Sequence, residues 1–147
     1  MRKKMKLRTM ASLAAALLLA ASVPDSGSRY EISMLTSSRA GLSLRPRVSA
    51  DGRRVFFLSS CDLAGKNSDR STEIFSVTDG KTEQLTNGAF CEVYDLAPAP
   101  DGERVAFISN CPYRGKNPSQ GIELMLRGKN GEVQVLTKSL GSELREL

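Results

Sequence analysis

Three cysteines and no histidine set the chemical limits of this chain. Without imidazole there is no Ser-His-Asp relay, no Cys-His pair and no His-ligated zinc. Cys61, Cys91 and Cys111 lack a CxxC spacing, so three thiolates alone are not expected to hold a metal. Folding a hairpin about Asp101-Gly102 brings Cys91 near Cys111, within the Cβ separation of cross-strand neighbours, and a Cys91–Cys111 disulfide is expected. Cys61 then has no local partner, because Gly41 stands where its counterpart would be. Asn67, Asp69 and Ser71 alternate as oxygen ligands do in calcium loops, but no Gly follows at the sixth place and no Glu at the twelfth. Their alternative role is to close the loop through side-chain to backbone bonds. No metal and no cofactor is expected. There is no GxSxG, no Gly-rich phosphate loop and no carboxylate pair brought together by spacing, so no catalytic residue is assigned. Lys66 with Asn67 and Asp69, and Lys116 with Asn117, remain as candidates for a binding rim that faces an acidic partner.

These residues sit in an internal repeat. Laid on itself at a shift of 50, "ADGRRVFFLSSCDLAGKN" falls on "PDGERVAFISNCPYRGKN", with identities at Asp51/Asp101, Arg54/Arg104, Phe57/Phe107, Cys61/Cys111 and Lys66-Asn67/Lys116-Asn117. Glu73 matches Glu123 and, after a one-residue insertion, Leu85-Thr86 matches Leu136-Thr137. A repeat of this period signals a solenoid or propeller, whose single units cannot bury their own faces. Each unit reads as four strands, at residues 44–49, 53–60, 73–77 and 82–86 and again at 92–97, 104–110, 122–127 and 132–137. The dipeptides Asp51-Gly52, Asp79-Gly80, Asp101-Gly102 and Asn130-Gly131 suit hairpin turns with positive φ at both central positions. "RVFFLSS" and "RVAFISN" are apolar on both faces, whereas "TEQLT" is largely polar, as expected of inner and outermost strands of stacked blades. Arg54 and Arg104 are expected to pair with nearby carboxylates, and Phe56, Phe57, Phe75 and Phe107 to lie in the core.

The turns "SADG" and "APDG", the strands "RVFFLSS" and "RVAFISN", the strands "EIFSV" and "IELML", and the endings "QLT" and "VLT" resemble the WD-like repeat of the TolB-like β-propeller family. The resemblance implies an all-β fold of four-stranded antiparallel blades, with residues 44–86 and 93–137 as two blades and residues 31–36 as one extra outer strand. It also implies a binding platform in the cell envelope with a protein or peptide partner and no catalysis. A different expectation is a gating propeller of a secreted serine peptidase without its hydrolase domain. Family members usually carry six or more blades. A truncated product is therefore expected, with residues 140–147 starting a further blade; self-assembly of several chains to close a propeller is the other way to complete it.

The first thirty residues read differently. Arg2, Lys3, Lys4, Lys6 and Arg8 precede a twelve-residue apolar run broken only by Ser12, then small residues and Pro24. That is the pattern of a signal peptide over residues 1–22, followed by a lead-in at 23–29 and the repeats at 30–139. The run is short of the ~20 residues needed to span a bilayer, so no membrane span is expected after removal of the leader. The net charge of +5 resides in those five cations, since the remainder balances at 16 against 16. A nucleic-acid partner is therefore not expected. An exported protein in an oxidising space is, either periplasmic or secreted.

Overall fold

The computed structural model describes residues 31–38 and 40–139. Eight strands alternate with tight turns: β1 (Ser43–Val48), β2 (Arg54–Ser59), β3 (Glu73–Thr78), β4 (Lys81–Gln84), β5 (Val93–Pro98), β6 (Val105–Ser109), β7 (Glu123–Arg127) and β8 (Val133–Val135). They form two four-stranded antiparallel sheets, each a simple meander in chain order, β1-β2-β3-β4 and β5-β6-β7-β8. Registers correspond at the shift of 50: Ser43 faces Ser59 as Val93 faces Ser109, and Phe57 faces Phe75 as Phe107 faces Met125. The fold is all-β and built from propeller-like blades, as the repeat implied.

The turns depart from expectation in an instructive way. Asp79-Gly80 has positive φ at both positions, 50° and 73°, and joins adjacent strand ends in the tight form. At the other three turns only the Gly adopts positive φ, and its N–H closes on the carbonyl three residues back, Gly52 to Ser49, Gly102 to Ala99 and Gly131 to Gly128. These loops are longer. The Asp stays at negative φ because its carboxylate holds the turn instead: Asp51 Oδ1 accepts from the Arg53 N–H at 3.1 Å, and Asp101 Oδ1 accepts from Glu103 at 2.9 Å. The same bonds, with the Arg104 guanidinium, depress the Asp101 carboxyl to about 2. The expected outer strand at residues 31–36 carries no strand. An outermost strand needs a third strand of its own sheet beside it, and both sheets here are already complete with four.

The sheets pack face against face. Phe56, Leu58 and Ile74 from the first sheet meet Leu96, Val105, Phe107 and Met125 from the second in one apolar cluster. Phe57, Phe75 and Val77 point to the opposite face of the first sheet and form a smaller cluster with Leu63 and Ala64. Polar ties cross the same junction. Arg54, expected to pair with a carboxylate, does so with Glu83 at 3.0 Å, and also donates to the Gly102 carbonyl at 3.1 Å. Arg127 Nε donates to the Leu85 carbonyl at 2.8 Å. Arg104 pairs with Asp101 within its own turn at 2.8 Å.

Phe107 is 1% exposed and meets Tyr113 edge to face at 5.8 Å, so its truncation leaves a cavity that neighbouring strands cannot close. Phe107→Ala is expected to cost about 3–5 kcal/mol in urea unfolding. A loss below about 1 kcal/mol would mean that the junction is not packed as described.

Candidate functional site

Equivalent loops follow β2 and β6 in the two sheets. Asn67, fully buried, donates through Nδ2 to the Ser71 carbonyl at 2.9 Å, and Asn117 donates in the same way to Gly121 at 2.8 Å. Asp69 Oδ2 accepts from Ser71 Oγ at 2.6 Å and from the Phe90 N–H at 2.9 Å. These bonds hold the Asp69 carboxyl below the usual range. Asn67, Asp69 and Asn117, proposed from sequence as rim residues, thus spend their side chains on closing loops.

Lys66 and Lys116 come together. They line one cavity of about 500 Å³ between the sheets, with Gln84, Leu85 and Thr86 from the first and Tyr113, Arg114 and Glu132 from the second. Three cations face one carboxylate there. Lys116 is steadied by donating from Nζ to the Val133 carbonyl at 2.8 Å. Arg114 sits in a short 3-10 turn, Tyr113–Gly115, at φ +49°, a left-handed conformation uncommon for a residue with a side chain. Sequence comparison missed Arg114 and Tyr113 because the first unit has Ala64 and Leu63 at those places.

Two residues of this cavity, Thr86 and Tyr113, also hold a carboxyl group that sequence reading left unassigned. Glu73 is fully buried at the start of β3. Its Oε1 accepts from the Gly88 N–H at 2.5 Å, and its Oε2 is bound closely by Thr86 Oγ1, with the Tyr113 hydroxyl at 3.4 Å. Thr86 Oγ1 also accepts the Ile74 N–H at 2.9 Å, so a side chain continues the ladder where β4 has ended. Burial is the main force on Glu73 and raises its carboxyl to about 7, against the lowering effect of Thr86 and Gly88. Burial and the neighbouring Glu73 charge likewise push the Tyr113 phenol up. The second sheet repeats the arrangement: Glu123 accepts from Thr137 Oγ1 at 2.5 Å and from the Ser139 N–H at 2.8 Å. There the hydrogen bonds outweigh burial and the carboxyl is lowered. Both side chains are hidden from water, but Glu73 has the second sheet's Tyr113 over it, and Glu123 has no such cover among the described residues. The repeat identities Glu73/Glu123 and Thr86/Thr137 were the available signal.

Cys91 and Cys111 form the disulfide, with Cα atoms 5.0 Å apart. It ties the start of the second sheet to the segment that carries Tyr113 and Arg114. Gly88 lies so close that a Cβ there would stand 2.4 Å from Cys91 Sγ and 2.7 Å from Cys111 Sγ, so only glycine fits. A Glu73 oxygen and the two sulfurs all lie within 4.8 Å of one another. Bonded to each other, the sulfurs offer no thiolate, and the trio holds no cation in this state. Cys61 is a buried free thiol, and a Cβ at Gly41 would lie 2.8 Å from its sulfur, the place that Cys91 fills in the second sheet. Burial acts to raise the Cys61 thiol, but hydroxyls of Ser59, Ser38 and Ser43 and the Arg70 charge bring it below the ordinary value. Among the described residues no helix is long and apolar enough to cross a membrane.

No protein-family profile and no curated protein matches the chain. Among solved structures it is similar to one assigned as TolB from Agrobacterium tumefaciens, with 23% identity and a TM-score of 0.46. The match covers 66% of this chain and 34% of that one, so this chain spans about a third of the structure it matches.

Two outcomes follow from this geometry. Alkylation of the unfolded, unreduced protein is expected to modify one cysteine, Cys61; modification of all three would remove the disulfide. The second concerns pH. Glu73 ionises near its ordinary value of 4.5 when unfolded but near 7 when folded, so its contribution is fully present below 4.5 and is lost as pH rises to 7. The stability difference between wild type and Glu73→Gln should therefore fall by about 3 kcal/mol across that window and stay level above it. A difference independent of pH would mean that the carboxyl titrates alike in the folded and unfolded states, near 4.5.

Proposed function

We propose that this protein is an exported binding module, without catalysis of its own, whose inter-sheet cavity receives an acidic segment of a protein partner. The observation that carries the reading is the convergence of Lys66, Arg114 and Lys116 on one cavity of about 500 Å³. Beyond its five leading cations the chain carries balanced charge, so three cations against Glu132 is a local surplus and not a reflection of the whole surface. Cations lining the cavity attract carboxylates over roughly a Debye length, and Leu85, Tyr113 and Val133 offer apolar wall to the backbone and side chains between them. Glu73 is not available as an acid or base for a ligand, since Thr86, Gly88 and Tyr113 occupy its oxygens. The leader-like N-terminal pattern and the disulfide support an envelope or secreted setting, where such a bond persists. The resemblance to TolB-like repeats agrees with a role in protein interaction.

Binding of a fluorescent oligoglutamate peptide at low salt tests this directly. Lys66→Glu is expected to weaken it about tenfold, and 0.5 M salt to abolish most of it. Lys81→Glu, an equal charge change on β4 away from the cavity, should leave binding unchanged. Equal losses in both variants would mean that the peptide senses net charge and not this site.

A further inference from the structure

The repeat that builds the junction inside this molecule also leaves its two halves unmatched outside it. At the shift of 50, Phe56, Leu58 and Ile74 correspond to Ala106, Ile108 and Leu124. The first three are buried against the second sheet, whereas the latter three lie partly exposed on the second sheet's outward face. Ala106, Ile108 and Leu124 there line a shallow apolar hollow of about 130 Å³ with Asp95 at its edge. In the same way Val105 and Phe107, buried in the junction, correspond to Val55 and Phe57 on the outward face of the first sheet. Those two, Phe57 itself mostly buried, line a hollow of about 140 Å³ with Leu44 and Pro46, and with Leu35 and Thr36 of the preceding segment at its edge. Among the described residues the chain thus presents at one end the kind of face that its own second sheet accepts, and at the other the kind that its first sheet accepts.

Charge follows the same arrangement. Arg45 and Arg47 of β1 reach Asp95 of β5 across the internal junction at 3.6 and 3.7 Å, and all three side chains remain about half exposed. At a junction between two copies, Asp95 of one chain takes the place of Arg45, and Arg45 of the next takes the place of Asp95. The pair is again opposite in sign. Like charges at either place would have opposed the contact.

We propose that the outward face of β6 and β7 is a docking surface for the outward face of β1 and β2 on a second copy, so that chains associate head to tail. Such a contact is heterologous: two different patches meet, and each copy keeps one free face for the next, giving a closed ring or a filament according to the rotation. This goes beyond the acidic-segment reading and is independent of it, since none of these residues lines the basic cavity.

Sedimentation velocity on the full chain tests it. Wild type should assemble with rising concentration, while Ile108→Lys and Val48→Lys, the latter paired with Val55 on the outward face, should each remain monomeric at about 100 μM, at least tenfold above the wild-type midpoint. Mixed together, the two variants should form a one-to-one dimer and nothing larger, because each retains one intact face. Native disulfide protection and far-UV circular dichroism confirm folding; if either variant fails them, Ala106→Lys and Val55→Lys repeat the pair on the same faces. A monomeric wild type at that concentration, variants that assemble as wild type does, or a folded mixture that stays monomeric would overturn the proposal.

Discussion

A carboxyl group that water cannot reach holds the junction together. Glu73 begins β3, yet its oxygens serve three other segments: the end of β4 through Thr86, the crossover to the second sheet through the Gly88 N–H, and the loop after β6 through Tyr113. An unpaired charge in that position would cost several kcal/mol, and the group responds by holding its proton to near neutrality. The disulfide lies against the same spot and constrains the same two segments. Neither wall of the basic cavity is placed independently of this cluster, because Thr86 and Tyr113 belong to both. Packing of Phe56, Phe107 and Met125 supplies the larger apolar gain, but it has no direction of its own. Direction comes from the carboxyl, from Arg54 on Gly102 and from Arg127 on Leu85.

Comparison of the two sheets shows what the junction changes. Glu123 makes the same bonds to Thr137 and Ser139 and keeps a lowered carboxyl. The same local sequence therefore gives opposite shifts of the carboxyl, and the difference among the described residues is the cover that Tyr113 gives Glu73. The cysteines vary likewise: Cys61 and Cys111 occupy equivalent positions, but the place of Cys91 is taken in the first sheet by Gly41 at φ +97°. Local pattern sets the blade, and contact between blades sets the chemistry of its residues.

Much of the fold could be read in advance because its signals are local. Asp-Gly turns, a strand apolar on both faces and a register repeated every 50 residues required no knowledge of distant contacts. The hairpin arithmetic also brought Cys91 to Cys111. The strand expected at residues 31–36 failed for the opposite reason, since an outermost strand exists only beside the sheet it completes. The cavity was half legible. Lys66 and Lys116 stood out by identity, but identity also drew attention to Asn67 and Asn117, whose amides face inward to satisfy loop carbonyls. Arg114 and Tyr113 complete the site from positions where the units differ, and no repeat comparison can select such residues. Glu73 escaped because an acidic residue beside a polar Thr looks like a solvated strand end.

The most direct test of the buried carboxyl is a ¹³C titration of the Glu73 side chain by NMR in the folded protein. A midpoint near 7, with Glu123 titrating below its ordinary value of 4.5, is the result this architecture requires. A Glu73 midpoint near 4.5, together with that of Glu123, would mean that water reaches the carboxyl and that the junction between the sheets is not closed around it.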